Sequence, residues 1–255
     1  MENRSLTTLL LVFLLLMCAA CANKQDVINT SVDDIPTELG TQNKLSIPDT
    51  IQLNFTAQDF SNIPFSLLDD SQIENIVDTT KIDEIVTYGE YIPKEFNDEN
   101  PEGYNFSYIE VSGIQYVLSR SLGENRYELS KTTLDDTEVY VINELQGANY
   151  IVTIFFVIKE KIPYIITEID GFAQIRDIDE NDKKEVISTI GTVPETSIYS
   201  FNFDMQTFSN VNINEPSGAK YSTYDDTTNT FSLAFEPDQS PIAYTYETNE
   251  LLRVE

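Results

Sequence analysis

The chain has 255 residues, is 41% hydrophobic and 11% aromatic, and carries 43 acidic against 15 basic side chains, a formal charge of −28. That apolar content excludes global disorder, and the charge argues against nucleic acid or an anionic phospholipid surface as a partner, because both would repel it. Histidine and tryptophan are absent, which excludes Ser-His-Asp and Cys-His catalysis and imidazole zinc sites.

At the N-terminus, Arg4 precedes the apolar run "LLLVFLLLMCAAC" (Leu9–Cys21), which gives way at once to "ANKQD". The run is too short for a stable membrane span and has the flanks of a secretory signal peptide. With Ala19 and Ala20 before Cys21, its end resembles a bacterial lipoprotein signal, in which the cysteine is lipidated and becomes the first residue of the mature protein. The resemblance implies a signal peptide over residues 1–20 and a diacylated Cys21, with Cys18 as the alternative site. It also implies export to the outer face of the bacterial cytoplasmic membrane or to the cell surface. Two acyl chains suffice for stable attachment. Cys18 and Cys21 are the only cysteines, so cleavage before Cys21 leaves none for an internal disulfide. Residues 21–50 are polar, Pro-punctuated and aperiodic, the texture of a flexible tether.

Residues 51–255 are expected to form one β-rich extracytoplasmic domain. In "SLLDDSQIENIVDTTKI" (Ser66–Ile82) the placing of Leu68, Ile73, Ile76 and Val77 predicts one helical turn or a short helix within residues 66–80. Beyond it come β-branched and aromatic runs, among them "YNFSYIEVSGIQYVLS" (Tyr104–Ser119), "EVYVINEL" (Glu138–Leu145) and "NYIVTIFFVI" (Asn149–Ile158). Short turn clusters separate them, so the expectation is all-β: a sandwich, barrel or propeller. Three segments, "KIDEIVTYG" (81–89), "LDDTEVYVIN" (134–143) and "KKEVISTIG" (183–191), share an acid followed by a β run. Their glutamates, Glu84, Glu138 and Glu185, are spaced by 54 and 47 residues, near the roughly 40–50-residue period of four-stranded propeller blades. The fold class read from this is all-β, a propeller-like array of about four antiparallel units, with a β-sandwich as the alternative.

The stretch "QIRDIDENDKKEVI" (Gln174–Ile187) sets oxygen-bearing residues at alternate positions between two β runs. Counting Asp177 as position 1, Asp179, Asn181, Lys183 and Glu185 occupy positions 3, 5, 7 and 9. A loop coiled around a hard cation turns alternate residues inward, and Ca²⁺ takes six to eight oxygens at about 2.3–2.6 Å. An EF-hand needs a bidentate acid at position 12 and helical flanks, whereas Ser188 stands there and both flanks are strand-like. The spacing therefore serves either a strand–loop–strand calcium site or an acidic β-turn with Asn181-Asp182 at its tip.

The segment "FAQIRDIDENDKKEVISTIG" (Phe172–Gly191) resembles the FG-GAP/VCBS-type repeat of integrin-like propellers, a strand, an acidic loop and a second strand. The resemblance implies a β-propeller with a structural Ca²⁺ held by Asp177, Asp179, Asn181, the Lys183 carbonyl and Glu185. The sequence departs from the family at Asp182, where the family has glycine at a position of positive φ. Carboxylate pairs such as Asp69-Asp70, Asp135-Asp136 and Asp225-Asp226 leave open a second reading, an extracellular carbohydrate-active enzyme. The reading preferred from sequence is a membrane-anchored binding or scaffolding lipoprotein, not an enzyme, with an unknown protein or glycan ligand.

Overall fold

The computed structural model describes residues 47–95, 105–120, 127–145 and 150–255, all within the unit Ser46–Glu255. The signal peptide, Cys21 and the tether as far as residue 46 lie outside the described residues.

The protein is all-β, built from four separate antiparallel sheets, none closed into a barrel. Sheet 1 is the up-and-down meander β4 (Ile73–Lys81), β5 (Val86–Pro93), β6 (Phe106–Val111) and β7 (Ile114–Arg120). Sheet 2 repeats the pattern with β8 (Tyr127–Leu134), β9 (Thr137–Leu145), β10 (Ile151–Lys159) and β11 (Ile162–Asp170). In sheet 3 the strands are β12 (Ala173–Arg176), β13 (Glu185–Ile190), β14 (Glu195–Asn202) and β15 (Thr207–Asn212). Sheet 4 comprises β16 (Tyr221–Asp225), β17 (Thr230–Ala234), β18 (Ile242–Glu247) and β19 (Glu250–Arg253). All three sequence repeats fall at the turn from the first to the second strand of sheets 1, 2 and 3.

Several of these turns are two-residue hairpins with both residues at positive φ: Ser112-Gly113, Asp135-Asp136, Glu160-Lys161 and Thr248-Asn249. That geometry matches the right-handed twist of the strands it joins. The helix expected within residues 66–80 is replaced by one 3₁₀ turn, Asp70–Gln72, followed at once by β4. Asp69 caps the start of the turn by accepting the Ser71 N–H at 2.8 Å, and Ile73 leaves it in an extended conformation. The β-branched run Ile76, Val77, Thr79, Thr80 then favours a strand over a helix.

Hydrophobic cores lie between successive sheets. Val86, Ile109, Val111 and Tyr116 of sheet 1 meet Tyr140, Ile142, Ile154 and Phe156 of sheet 2. Leu134, Val141, Phe155 and Val157 of sheet 2 meet Val186, Phe201 and Phe208 of sheet 3. Ile187, Ile198 and Val211 of sheet 3 meet Tyr224, Phe231, Tyr244 and Tyr246 of sheet 4. The alternation of strand side chains explains why the inner sheets read as continuous apolar runs. In β10, Ile154 and Phe156 turn to one core while Phe155 and Val157 turn to the next. In sheet 4, by contrast, β16 alternates buried Ser222 and Tyr224 with exposed Thr223 and Asp225.

Before β4 the chain runs back along the stack. β1 (Thr50–Gln52) pairs with β19, β2 (Thr56–Asp59) with β15, and β3 (Ile63–Pro64) with β11. Leu67 then bridges to Tyr116 of β7. This strap visits the last strand of all four sheets in reverse order. It also drops one or two apolar side chains into each core: Ile51 and Leu53 between sheets 3 and 4, Phe60 between 2 and 3, Phe65 between 1 and 2. Each such burial stabilises by about 1.5–3 kcal/mol, so the strap ties together sheets that share no hydrogen-bonded strand.

Candidate metal centre

The hairpin between β12 and β13 carries the acidic loop. Asp177 organises it: Oδ1 accepts the Asn181 N–H at 3.0 Å and Oδ2 the Asp182 N–H at 2.9 Å. Glu180 and Asp182 take φ of 58° and 67°. Asp182 thus adopts the left-handed conformation its place in the loop demanded, without glycine. Ile178, between the two aspartates, is buried in the core between sheets 3 and 4. Its carbonyl accepts from Asn229 Nδ2 at 3.2 Å, and Asn229 Oδ1 accepts from the Tyr224 hydroxyl at 2.8 Å. The loop is thereby pinned to the next sheet by an apolar side chain and a neutral amide.

Burying Ile178 sets Asp177 and Asp179 on the opposite side of the loop, where they meet Glu185. One carboxylate oxygen from each of the three lies within 4.8 Å of the others. A cation held at about 2.3–2.6 Å from two ligands separates them by no more than about 5 Å, so a single Ca²⁺-sized ion fits among the three. Glu185 is only 5% exposed; its Oε2 accepts from the Ile178 N–H at 3.2 Å, and its own backbone N–H is a weaker donor to the carboxylate. Asp179 Oδ1 is buried and has no donor. Burial, then the charges of Asp179 and Asp177, push the Glu185 carboxyl up to about 7, against the pull of the Ile178 N–H. Tyr246, from sheet 4, borders the same site: burial and then the Glu185 charge push its phenol up to about 12.

Asn181 and Lys183 are placed differently from the three acids. Asn181 Oδ1 accepts the Lys183 N–H at 2.8 Å, and the Lys183 ammonium extends to Asp135 Oδ1 at 3.6 Å, towards sheet 2. The Lys183 ammonium is thus directed away from the three acids. Among the described residues no lysine or arginine is within ion-pair distance of Asp177, Asp179 or Glu185. Sequence reasoning missed Tyr246 and Asn229, which come from the neighbouring sheet and carry no local signal.

The equivalent turns of sheets 1 and 2 are built differently. Asp83, between β4 and β5, accepts from Tyr140 Oη at 2.6 Å, Lys131 Nζ at 3.1 Å and the N–H groups of Ile85 and Val86, both at 2.9 Å. Desolvation opposes ionisation there, yet these bonds hold the carboxyl down at about 2. Asp135, between β8 and β9, meets Lys183 and accepts the Phe203 N–H at 3.2 Å. In both cases the next sheet supplies a lysine. Of the adjacent-acid pairs, Asp69 and Asp225 cap their own turns, on the N–H groups of Ser71 and of Thr227 at 2.9 Å, while Asp135 reaches across to the Phe203 N–H of sheet 3. No family model, no curated protein and no solved structure matches the chain.

Proposed function

We propose that the protein is a lipid-anchored extracytoplasmic binding or scaffolding protein whose four sheets are successive blades of a propeller-like array, with one structural Ca²⁺ at the β12–β13 hairpin. The observation that carries the calcium assignment is the convergence of Asp177, Asp179 and Glu185 without a basic partner. At the two preceding interfaces the turn aspartate is met by Lys131 or Lys183. At the third the adjoining sheet offers Asn229 and Tyr246 instead, and a divalent cation supplies the missing positive charge. Asp177, Asp179 and Glu185 are the ligands from the cluster, with Asn181 and the Lys183 carbonyl completing the shell. The ion locks the loop whose Ile178 side chain enters the core between sheets 3 and 4. Its role is mechanical rather than catalytic.

Anchoring is through a lipidated Cys21, on the signal-like pattern of residues 9–21. The test of the anchor is fractionation: Cys21→Ser moves the protein from the membrane to the soluble fraction, and retention overturns it. The test of the metal is thermal unfolding of the purified chain. Calcium at tenfold its Kd stabilises by about 1.4 kcal/mol, roughly 3–6 °C for a domain of this size, and Asp177→Ala cancels the rise. An unchanged melting temperature at about 10 mM calcium, well above the millimolar affinities of extracellular sites, overturns it.

A further inference from the structure

The strap covers the last strand of every sheet, whereas among the described residues no strand pairs with the outer side of β4, β8 or β12. The most exposed is β4, which among the described residues pairs only with β5. From Glu74 to Lys81 every residue of β4 is exposed. Its first half is bulged, with register shifts between Ile73 and Asn75 and between Ile76 and Asp78, a device that blunts an edge against pairing. From Asp78 to Lys81 the register is regular, opposite Glu90 to Thr87. That straight half borders a cleft between sheets 1 and 2.

The cleft has a volume of about 240 Å³, below the usual 300–1,000 Å³ of small-molecule pockets, so it suits one side chain better than a saccharide. Three carboxylates line it, Asp78, Glu90 and Glu128, with no lysine or arginine among the described lining residues, and Ile82 and Leu129 supply apolar wall. Glu90 is 5% exposed and held in place by Tyr88 Oη at 3.0 Å and Asn105 Nδ2 at 3.1 Å. The nearby Lys131 is engaged by Asp83 and Glu138, at 3.1 and 2.7 Å. An apolar passage ending in fixed negative charge matches an ammonium on an alkyl stem. An open strand edge beside it matches an extended backbone, the arrangement in which main-chain bonds give affinity and alternate side-chain pockets give specificity.

We propose that this edge and cleft together form the docking site for a strand-forming, lysine-bearing segment of a partner protein. The segment adds to β4 along Asp78–Lys81 and places a lysine side chain against Glu90 and Glu128. This gives the proposed binding role a partner chemistry, and it is independent of the cation at Glu185.

The test is calorimetric titration of the purified chain with a synthetic octapeptide alternating lysine with threonine and valine. The controls are the same peptide with norleucine for lysine, the same peptide N-methylated at alternate amides, and N-acetyl-lysine methylamide. The lysine peptide is expected to bind at least about tenfold more tightly than any control, the margin of a hydrogen bond to a charged group. Glu90→Gln should lower its affinity by a similar factor. Asp78→Asn with Glu128→Gln, both at exposed positions, reads the same loss without touching a buried residue. Asp177→Ala leaves the affinity unchanged, which separates this site from the calcium loop. Equal binding of the norleucine peptide, or wild-type affinity in the Asp78→Asn/Glu128→Gln variant, overturns the ammonium assignment. Equal binding of N-acetyl-lysine methylamide or of the N-methylated peptide overturns strand addition on β4.

Discussion

The first-to-second-strand turns of sheets 1 and 3 hold their carboxylates in opposite ways. In sheet 1, Asp83 receives four donors, two of them from the next sheet, and is held ionised down to about 2. In sheet 3, Glu185 receives only backbone N–H donors, from Ile178 and its own residue, faces two other carboxylates, and is pushed up to about 7. Burial alone does not decide the sign, because it raises both. What decides is whether the adjoining sheet supplies hydrogen-bond donors and a cation. Sheet 2 supplies both to sheet 1, whereas sheet 4 supplies no lysine or arginine among the described residues to the turn of sheet 3.

The largest expected effect comes from breaking the completed turn. Asp83→Ala removes the acceptor of the Tyr140 hydroxyl and of the Ile85 and Val86 N–H groups, leaving Lys131 to Glu138 alone, and lowers stability by about 2–3 kcal/mol in urea unfolding. The matching change in the incomplete turn has the opposite sign. Glu185→Gln, which removes the buried charge but keeps the shape, stabilises the calcium-free protein at pH 8 by about 2 kcal/mol. It also abolishes the response to calcium. A destabilised Glu185→Gln protein without calcium would show that the carboxylate is satisfied within the fold.

The same contrast sets the pH profile. Glu185's folded value of about 7 lies above its ordinary 4.5. The folded state therefore favours the protonated form, and calcium-free stability falls as pH rises from about 4.5 through 7, by on the order of 3 kcal/mol. Asp83's value of about 2 lies below its ordinary 3.8. Its contribution is present above 3.8 and is lost as pH falls through 2, by on the order of 1–2 kcal/mol after solvent screening. Melting curves in the absence of calcium from about pH 1.5 to 8, for the wild type and each variant, separate the two. The smallest effect belongs to Lys183→Ala. Its ion pair with Asp135 is long at 3.6 Å, and the lysine side chain is 70% exposed, so stability changes by no more than about 0.5 kcal/mol.

Most of the strand content was legible because the inner sheets are buried on both faces. Runs such as Val139–Ile142 and Ile154–Val157 cannot avoid appearing as unbroken apolar segments. The turns at residues 158–163 and 247–250 were legible as polar clusters, but not their tight form, since Glu160-Lys161 and Thr248-Asn249, like Asp135-Asp136, take positive φ without the Asn-Gly or Asp-Gly pair that announces such turns. The helical turn expected near 66–80 is present but confined to Asp70–Gln72, because Ile73, Ile76 and Val77 also suit a strand once the β-branched residues that follow are counted. The strap left no trace in the sequence. Ile51, Phe60 and Phe65 are ordinary apolar residues in a polar stretch, and only the assembled stack sends each to a different core. The acidic loop was legible through its alternating positions, but its surroundings were not. Tyr246 and Asn229 reach it from another sheet, and the direction of Lys183 towards Asp135 is set by tertiary packing.

The central claim is that Asp177, Asp179 and Glu185 enclose one cation beside Tyr246. With no tryptophan in the chain, terbium luminescence excited through tyrosine tests it directly. Titrating Tb³⁺ into the purified protein should give sensitised emission that calcium displaces. Tyr246→Phe should lose most of it while still binding the ion, and Glu185→Gln should lose both emission and binding. Emission that survives in the Glu185→Gln protein at wild-type affinity would contradict the account.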